Sequence, residues 1–353
     1  MLDFLTLRPK AFGLDISDSS LKIVQLKKNG QFFRLASFGE TKINPGIVEQ
    51  GDIKNEKALS ENIRKAVKEV CGEKIRTKHV VISLPEEKAF LQVIHLPLMK
   101  EEEVQKAVYF EAENYIPLPI EKVYLDSQII SCDTKANKLN VLIAAMPKIV
   151  VDLYINVLRE AALEPVALEI ESMSISRALI KDNTDSQALV LVDLGENRTS
   201  FSIFLEQSLR FTTTSQISAK NFSETIAQDL KISFKEAEIL KIKNGISDNK
   251  SGKKNAEALS STLKDFVNLS EKYINYCQTK YNQKTTKVLL CGGGANLKGL
   301  ADFLGRQLKT PVELGDPWIN ITSSQSKKAS PLPYEESLRY TTALGLALRG
   351  VRL

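Results

Sequence analysis

Two stretches about half the chain apart carry the same pattern of apolar and polar positions. In "AFGLDISDSSLKIVQL" and "LVLVDLGENRTSFSIF" an apolar strand runs into an aspartate, Asp15 or Asp193. A turn of small polar residues follows, then a second alternating strand. Two strand-turn-strand hairpins, one per half, predict two related lobes facing each other across a cleft.

Between the hairpins, "RTKHVVISLPEEKAFLQVIHLPLM" predicts strands at about 79–84 and 89–96, because β-branched and apolar residues dominate and Pro85 and Pro97 punctuate. In "KEEEVQKAVYFEAENYIP" Val104, Ala107, Val108, Ala112 and Tyr115 share one helical face. Three glutamates suit the positive end of the helix dipole, and Pro117 and Pro119 end the helix. Strands near 123–131 and 138–145 complete a β-β-α-β-β unit, read as an inserted subdomain. A helix with Val150, Val151, Tyr154, Val157 and Leu158 inward then packs back on the first lobe, followed by the strand "VALEI" and the helix "ESMSISRALI".

In the second half, "FSETIAQDLKISFKEAEILKIKNG" predicts two helices separated near 231–233, and the polar "ISDNKSGKKNAEAL" predicts a surface loop. Residues 262–281 are helical, with Leu263, Phe266, Val267, Ile274 and Cys277 inward. The strand "KVLLCGGG", the helix "LKGLADFLGRQL", a strand near 312–314 and the helix "LRYTTALGLALRG" close the chain; the Ser/Lys/Pro-rich stretch 323–333 is punctuation. The expected boundaries are 1–78 plus 150–185 for the first lobe, 79–149 for the insert and 186–353 for the second lobe, with 219–286 its own subdomain.

Composition narrows the function classes. The 353 residues are 43% apolar, and 48 Lys and Arg against 43 Asp and Glu give +5, with no long basic block to track a nucleic acid. Cys71, Cys132, Cys277 and Cys291 lack CxxC spacing, and with only His79 and His95 there is no zinc constellation. A reducing compartment is expected. The most apolar region, "LNVLIAAMPKIVVDLYINVL", is broken by Pro147, Lys148 and Asp152, and "MLDFLTLRPK" lacks the order of a signal peptide. These features predict a cytoplasmic chain. Leu2, Phe4, Leu5 and Leu7 are expected to form an arm that packs on the first lobe, with contact to a membrane or a partner the competing reading.

The hairpins also carry the candidate chemistry. Asp193 ends its strand where a carboxylate can orient the water shell of Mg²⁺. Gly195 lets the backbone approach a phosphate, Asn197 shares that turn, and Thr199 offers a hydroxyl and an amide; a plain β-hairpin is the competing reading. In the first hairpin Asp15 is followed by Ser17, Ser19, Ser20 and Lys22, with serine at position 17 where a phosphate turn normally has glycine. Gly292, Gly293 and Gly294 run from an apolar strand into a helix, so a base or phosphate can lie against bare backbone. Glu238 and Lys241, three apart on one helix, present a pair to a ribose and base or form a solvated ion pair.

These elements, in this order, resemble the nucleotide-binding fold shared by actin, Hsp70 and sugar kinases. "IHLPLMKEEEVQKAVYFEAENYIPLPIEKVYLDSQII" and "VLIAAMPKIVVDLYINVLREAALEPVALEIESMSISRAL" narrow the resemblance to the PilM family of type IV pilus assembly, relatives of FtsA. The resemblance implies an α/β, actin-like (ribonuclease H-like) two-lobed fold whose parts are 1A-like, 1C-like (the insert), 2A-like and 2B-like. It implies ATP and Mg²⁺ as cofactors, with Asp15 and Asp193 acting on the metal through water. Asp15, Ser19, Ser20 and Lys22 match the first phosphate hairpin; Asp193, Gly195 and Thr199 the second; Glu238 and Lys241 the adenosine-side helix; and Gly292 to Gly294 the base-side turn.

The resemblance further implies a groove, from about Val80 to Asp126 with neighbours in the first lobe, for the amino-terminal cytoplasmic peptide of PilN. Contacts with other pilus assembly proteins, including the assembly ATPase, and a peripheral place at the inner face of the cytoplasmic membrane, reached through partners, also follow from it; a homo-oligomer stays open. The chain departs from the family pattern at Ser17 and at Ser218 and Ala219, which replace glycines and imply weaker triphosphate binding. No spacing singles out a residue to position an attacking water. The expected role is a nucleotide-responsive scaffold. The alternatives are an active ATPase or small-molecule kinase, or an FtsA-like polymerising protein, which needs an amphipathic tail that "LALRGVRL" is too short to supply.

Overall fold

The computed structural model describes residues 10–134, 137–182, 187–247, 249–322 and 330–353. The expected amino-terminal arm and most of the 323–333 stretch lie outside them. The chain forms two compact units, one from the described residues of Met1–Lys181, Trp318–Pro331 and Thr342–Leu353, the other from those of Asp182–Pro317 and Leu332–Thr341.

The first unit begins with β1 (Phe12–Ile16), β2 (Ser20–Asn29), β3 (Phe32–Lys42), the small hairpin β4 (Val48–Glu49) and β5 (Asp52–Ile53), α1 (Glu56–Lys68), β6 (Cys71–Gly72) and β7 (His79–Leu84). It continues through β8 (Phe90–Pro97), α2 (Glu101–Ala112), β9 (Val123–Asp133), β10 (Lys138–Pro147), α3 (Lys148–Glu160), β11 (Glu164–Ile170) and α4 (Glu171–Leu179). Its main sheet has the order β11-β7-β1-β2-β3-β6. β1, β2 and β3 pair antiparallel, whereas β7 runs parallel to both β1 and β11.

β7 corrects the expected insert. The strand at 79–84 belongs to the main sheet, so the insert is β-α-β-β, built on the antiparallel sheet β8-β10-β9. The physical reason lies in the burial pattern. Val80 to Leu84 are buried without a break, as a parallel strand covered on both faces must be, whereas β8 alternates. In the insert, α2 lays Val104, Val108 and Ala112 on Ile94, Leu96, Val141 and Ile143. Tyr115 does not join that face: the helix stops at Ala112 and the ring is 46% exposed.

The second unit contains β12 (Leu189–Leu194), β13 (Thr199–Leu205), β14 (Ser208–Ser215), α5 (Ala219–Leu230), α6 (Phe234–Asn244), α7 (Lys250–Ala258), α8 (Ser260–Tyr281), β15 (Lys287–Cys291), α9 (Leu300–Leu308), β16 (Val312–Leu314) and α10 (Tyr334–Ser337). Its sheet order is β14-β13-β12-β15-β16, antiparallel across β12, β13 and β14 and parallel from β12 to β15 to β16. This repeats the β3-β2-β1-β7-β11 arrangement strand for strand, which is the physical content of the sequence repeat. Phe201, Phe222, Phe266, Tyr273 and Cys277 fill its core.

The polar stretch expected as a loop is the helix α7. Asn249 caps it by accepting from the Gly252 amide at 2.8 Å, and the buried Asn255 side chain donates to the carbonyls of Leu240 and Gly245. Hydrogen bonds rather than an apolar stripe fix this helix, so hydrophobic periodicity had little to register.

The last helix, α11 (Thr341–Arg352), differs from the expected boundary too. From Thr342 it belongs to the first unit, not to a second lobe running on to residue 353. Gly345 lets it close on α4: a Cβ there would lie 1.9 Å from the Ser174 carbonyl oxygen. Among the described residues no helix is long and apolar enough to cross a membrane.

Candidate functional site

In the first unit β1 delivers Asp15 to the carboxyl-terminal edge of its sheet, buried to 7% exposure. The Ser83 hydroxyl donates to its Oδ1 at 2.9 Å, and Lys22, its register partner on β2, holds Nζ 3.9 Å from Oδ2. The same Nζ donates to Ser20 Oγ at 3.0 Å. The turn is closed by Ser17, whose amide and hydroxyl both donate to the Ser20 carbonyl at 3.0 Å. Ser17 is not among the residues with positive φ, so this turn does not demand glycine. Ser19 is half-buried, and its carbonyl accepts from Ile43 N at 2.9 Å.

Two carboxylates that the sequence reading did not single out follow the parallel strands of this sheet. Glu86, 3% exposed just beyond β7, accepts from the Ser172 amide and hydroxyl at 2.9 and 2.8 Å. Glu171, 8% exposed, opens α4 directly after β11. Both lie at the strand-end edge where open α/β sheets place their ligands. An acid within two residues of the end of a buried apolar strand was the available signal.

In the second unit Asp193 is half-buried near the end of β12, and Gly195 N donates to Arg198 O at 3.0 Å to close the turn that holds the half-buried Asn197. Thr199 is fully buried; its hydroxyl donates to the Ile217 carbonyl at 2.6 Å and ties the hairpin to the approach of α5. The carbonyls of Gly195 and Glu196 accept from the amides of Ala219 and Lys220, each at 3.0 Å. Ser218 caps α5 at φ −152°, extended backbone that needs no glycine.

Lys241, 8% exposed, donates to Ala219 O and pairs with Glu238 Oε2, both at 2.8 Å. The Ser223 hydroxyl donates to the same carboxylate oxygen. The Glu238–Lys241 pair is thus built into the contact between α5 and α6 rather than fully solvated.

The glycine run divides by role. Gly292 sits at φ +82°, and a Cβ on it would lie 2.3 Å from Asp193 Oδ1 and 2.6 Å from Leu194 O. A Cβ on Gly294 would meet the Leu194 side chain at 2.5 Å. Gly293 has only Arg339 Cβ at 3.8 Å and presents open backbone. Cys291, the register partner of Asp193, is fully buried; burial and the adjacent carboxylate push its thiol well up, so it stays protonated and hydrogen-bonded to Asp193.

The residues of the second unit therefore form two linked groups, Asp193 with Gly292 to Gly294, and Gly195 with Thr199, Glu238 and Lys241 around the start of α5. The first unit gathers Asp15, Ser17, Ser20 and Lys22. Among the described residues no three His, Cys, Asp or Glu side chains converge to ligate a metal directly. Separate single carboxylates suit Mg²⁺ held through its own water shell.

The insert carries a groove of 510 Å³ beside α2 and β9, reaching the start of α3 and lined by Val108, Tyr109, Tyr124, Leu125, Asp126 and Lys148 among others. Lys148 Nζ stands 5.6 Å from the centre of the Tyr124 ring, and the Tyr124 hydroxyl donates to Asp152 at 2.9 Å. That hydrogen bond, foremost, raises the phenol's pKa.

A doubled sheet of three antiparallel and two parallel strands, with an aspartate near the end of each first strand, defines an actin-like protein. Solved structures of this fold agree. A chain of a "PilM-PilN type IV pilus biogenesis complex" is 26% identical, with TM-score 0.82 over 98% of this chain and 99% of that one. Ethanolamine utilization protein EutJ from Carboxydothermus hydrogenoformans (14% identity, TM-score 0.56, 97% and 90% covered) shares the fold. So does MreB5 of Spiroplasma citri bound to AMPPNP (12%, 0.53, 97% and 96%). The profile of the family described as type IV pilus assembly protein PilM matches residues 13–351, and the chain belongs to that family.

Proposed function

We propose that this protein is a cytoplasmic scaffold of type IV pilus assembly that binds the amino-terminal tail of PilN and sits, through that partner, at the inner face of the cytoplasmic membrane. The observation that carries the reading is the match, over 98% of the chain, to a chain of a PilM-PilN type IV pilus biogenesis complex. The groove beside α2 and β9 supports it: its apolar floor and aromatic wall suit an extended peptide with apolar anchors, and Lys148, Glu121 and Asp126 offer polar fixing points.

Nucleotide binding is the second part of the proposal. ATP with Mg²⁺ supplies a charged ligand whose presence shifts the population of groove conformations, a coupling that need not involve turnover. Asp15 and Asp193 would orient the metal's waters, Lys22 would meet a phosphate, and the open backbone at Gly293 would face the base. The assembly ATPase and a second copy of the chain are further candidate partners.

An active ATPase is the second reading, favoured by the buried carboxylates Glu86 and Glu171 at the sheet edge that holds Asp15. Calorimetric titration of ATP and Mg²⁺, with and without a PilN amino-terminal peptide, tests the proposal. Peptide binding that weakens in Tyr124→Ala supports the groove; no peptide binding overturns the scaffold. Asp193→Asn is expected to weaken Mg²⁺-nucleotide binding with the fold intact, and unchanged affinity would remove Asp193 from the site.

A further inference from the structure

Helix α6 carries apolar side chains on its outward side as well as on the side that packs on its unit. Only Ala237 and Lys241 are buried along it, while Phe234, Ile239 and Ile242 are 47%, 55% and 64% exposed. At helical spacing Phe234, Lys235, Ile239, Ile242 and Lys243 occupy one half of the wheel. A surface helix ordinarily keeps its large apolar residues inward, and clustered exposed apolar side chains mark an interaction site.

The charge on this face is positive. Of the four lysines and two glutamates in the segment 231–243, Lys241 is buried and does not belong to this face. Glu238 also lies on the outward half, but its carboxylate is held by Lys241 and Ser223. Glu236 is engaged by the Ser233 amide and hydroxyl in a capping box at 2.9 and 2.7 Å. Lys231, Lys235 and Lys243 are exposed, and exposed Lys298 donates to Lys243 O at the far end of the helix.

We propose that this face docks on an anionic lipid surface. Phe234, Ile239 and Ile242 enter the boundary between headgroups and acyl chains, and the lysines extend to the headgroup phosphates. The residue types favour lipid over a protein partner. Protein interfaces deplete lysine and enrich Arg, Tyr and Trp at their centres, whereas this face has lysine and aliphatic residues with a single Phe. The contact belongs to the chain itself and goes beyond a membrane location reached only through PilN; it does not depend on nucleotide or peptide binding.

The test is flotation of the full chain with vesicles of phosphatidylcholine alone or mixed with phosphatidylglycerol, at low and high ionic strength. The chain is expected to float with the anionic vesicles at low salt, and to remain unbound on neutral vesicles and at high salt. The double change Ile239→Asp and Ile242→Asp is expected to lower partitioning at least about tenfold, with an unchanged circular dichroism spectrum because both side chains face solvent. Lys235→Gln and Lys243→Gln should each lower it about fivefold. Absence of flotation, equal binding to neutral and anionic vesicles, or wild-type binding by the isoleucine variant would overturn the proposal.

Discussion

The Gly292 backbone lies so close to the Asp193 carboxylate that a Cβ on the glycine would stand 2.3 Å from Oδ1. With φ at +82°, the position excludes a side chain on two counts, conformation and space. The strand β15 and its turn therefore fix where the Asp193 carboxylate can point. Gly292→Ala is expected to lower unfolding free energy by about 2 kcal/mol, read as a lower midpoint in urea. Gly293→Ala, with only Arg339 Cβ at 3.8 Å, should leave that midpoint unchanged. If Gly293 faces the nucleotide base, its substitution weakens ATP binding without weakening the fold.

Ser17 gives the opposite case, a side chain held in place by its own turn. Its hydroxyl donates to the Ser20 carbonyl at 3.0 Å and lies 3.2 Å from Ser20 Oγ. Ser17→Gly removes these contacts and adds freedom to the unfolded chain, so stability should fall by about 1 kcal/mol. Under the proposed nucleotide role, the freed volume at the phosphate turn should tighten triphosphate binding in a calorimetric titration. Unchanged or weaker binding would show that Ser17 does not limit the grip.

The parts of the fold legible in the sequence were those with local signals. Asp15 and Asp193 each end an apolar strand at a small polar turn, so both hairpins and their repetition could be read from pattern. β7 could not be placed, because the unbroken run from Val80 to Leu84 fits a strand of either sheet until its parallel partners are known. α7 was lost because its stabilising contacts are polar, centred on Asn255. The return of α11 depends on one glycine meeting Ser174, a contact between positions far apart in sequence. At the site, the spacing that marked Glu238 and Lys241 identified a real pair. Glu86 and Glu171 were passed over because their burial comes from the sheet edge around them.

The cysteines separate by burial. Cys71 and Cys132 are exposed, whereas Cys277 and Cys291 are buried with thiols raised first by desolvation, and Cys291 further by Asp193. Intact-mass analysis after alkylation of the native protein should find Cys71 and Cys132 modified, with all four reacting only after denaturation. Folded-state thiol pKa values above the unfolded ones mean that the stability they contribute is complete below the unfolded value. It declines as pH rises toward the folded one. Melting temperature should therefore fall on the alkaline side, less steeply in Cys291→Ala. Native-state alkylation of Cys291 would contradict its place beside Asp193.

Glu169 is the anchor for the carboxyl-terminal helix. Its side chain is 3% exposed and accepts from Arg177 at 2.8 Å and from Arg349, on α11, at 2.6 Å. Two guanidinium groups on one buried carboxylate make its removal more damaging than the loss of either arginine, because both cations would be left near an uncharged site. Glu169→Gln is expected to destabilise by about 3 kcal/mol, and Arg349→Met by about 1–2 kcal/mol, since Arg177 still pairs with the carboxylate and Arg349 is partly solvated. Urea denaturation checks the order of the two values. Hydrogen exchange checks the location: in Arg349→Met, protection should drop in α11 and in α4 against which Gly345 packs, while the β12 to β16 sheet keeps its protection. A uniform loss across both sheets would mean that Arg349 acts on global stability rather than pinning the last helix to the first unit.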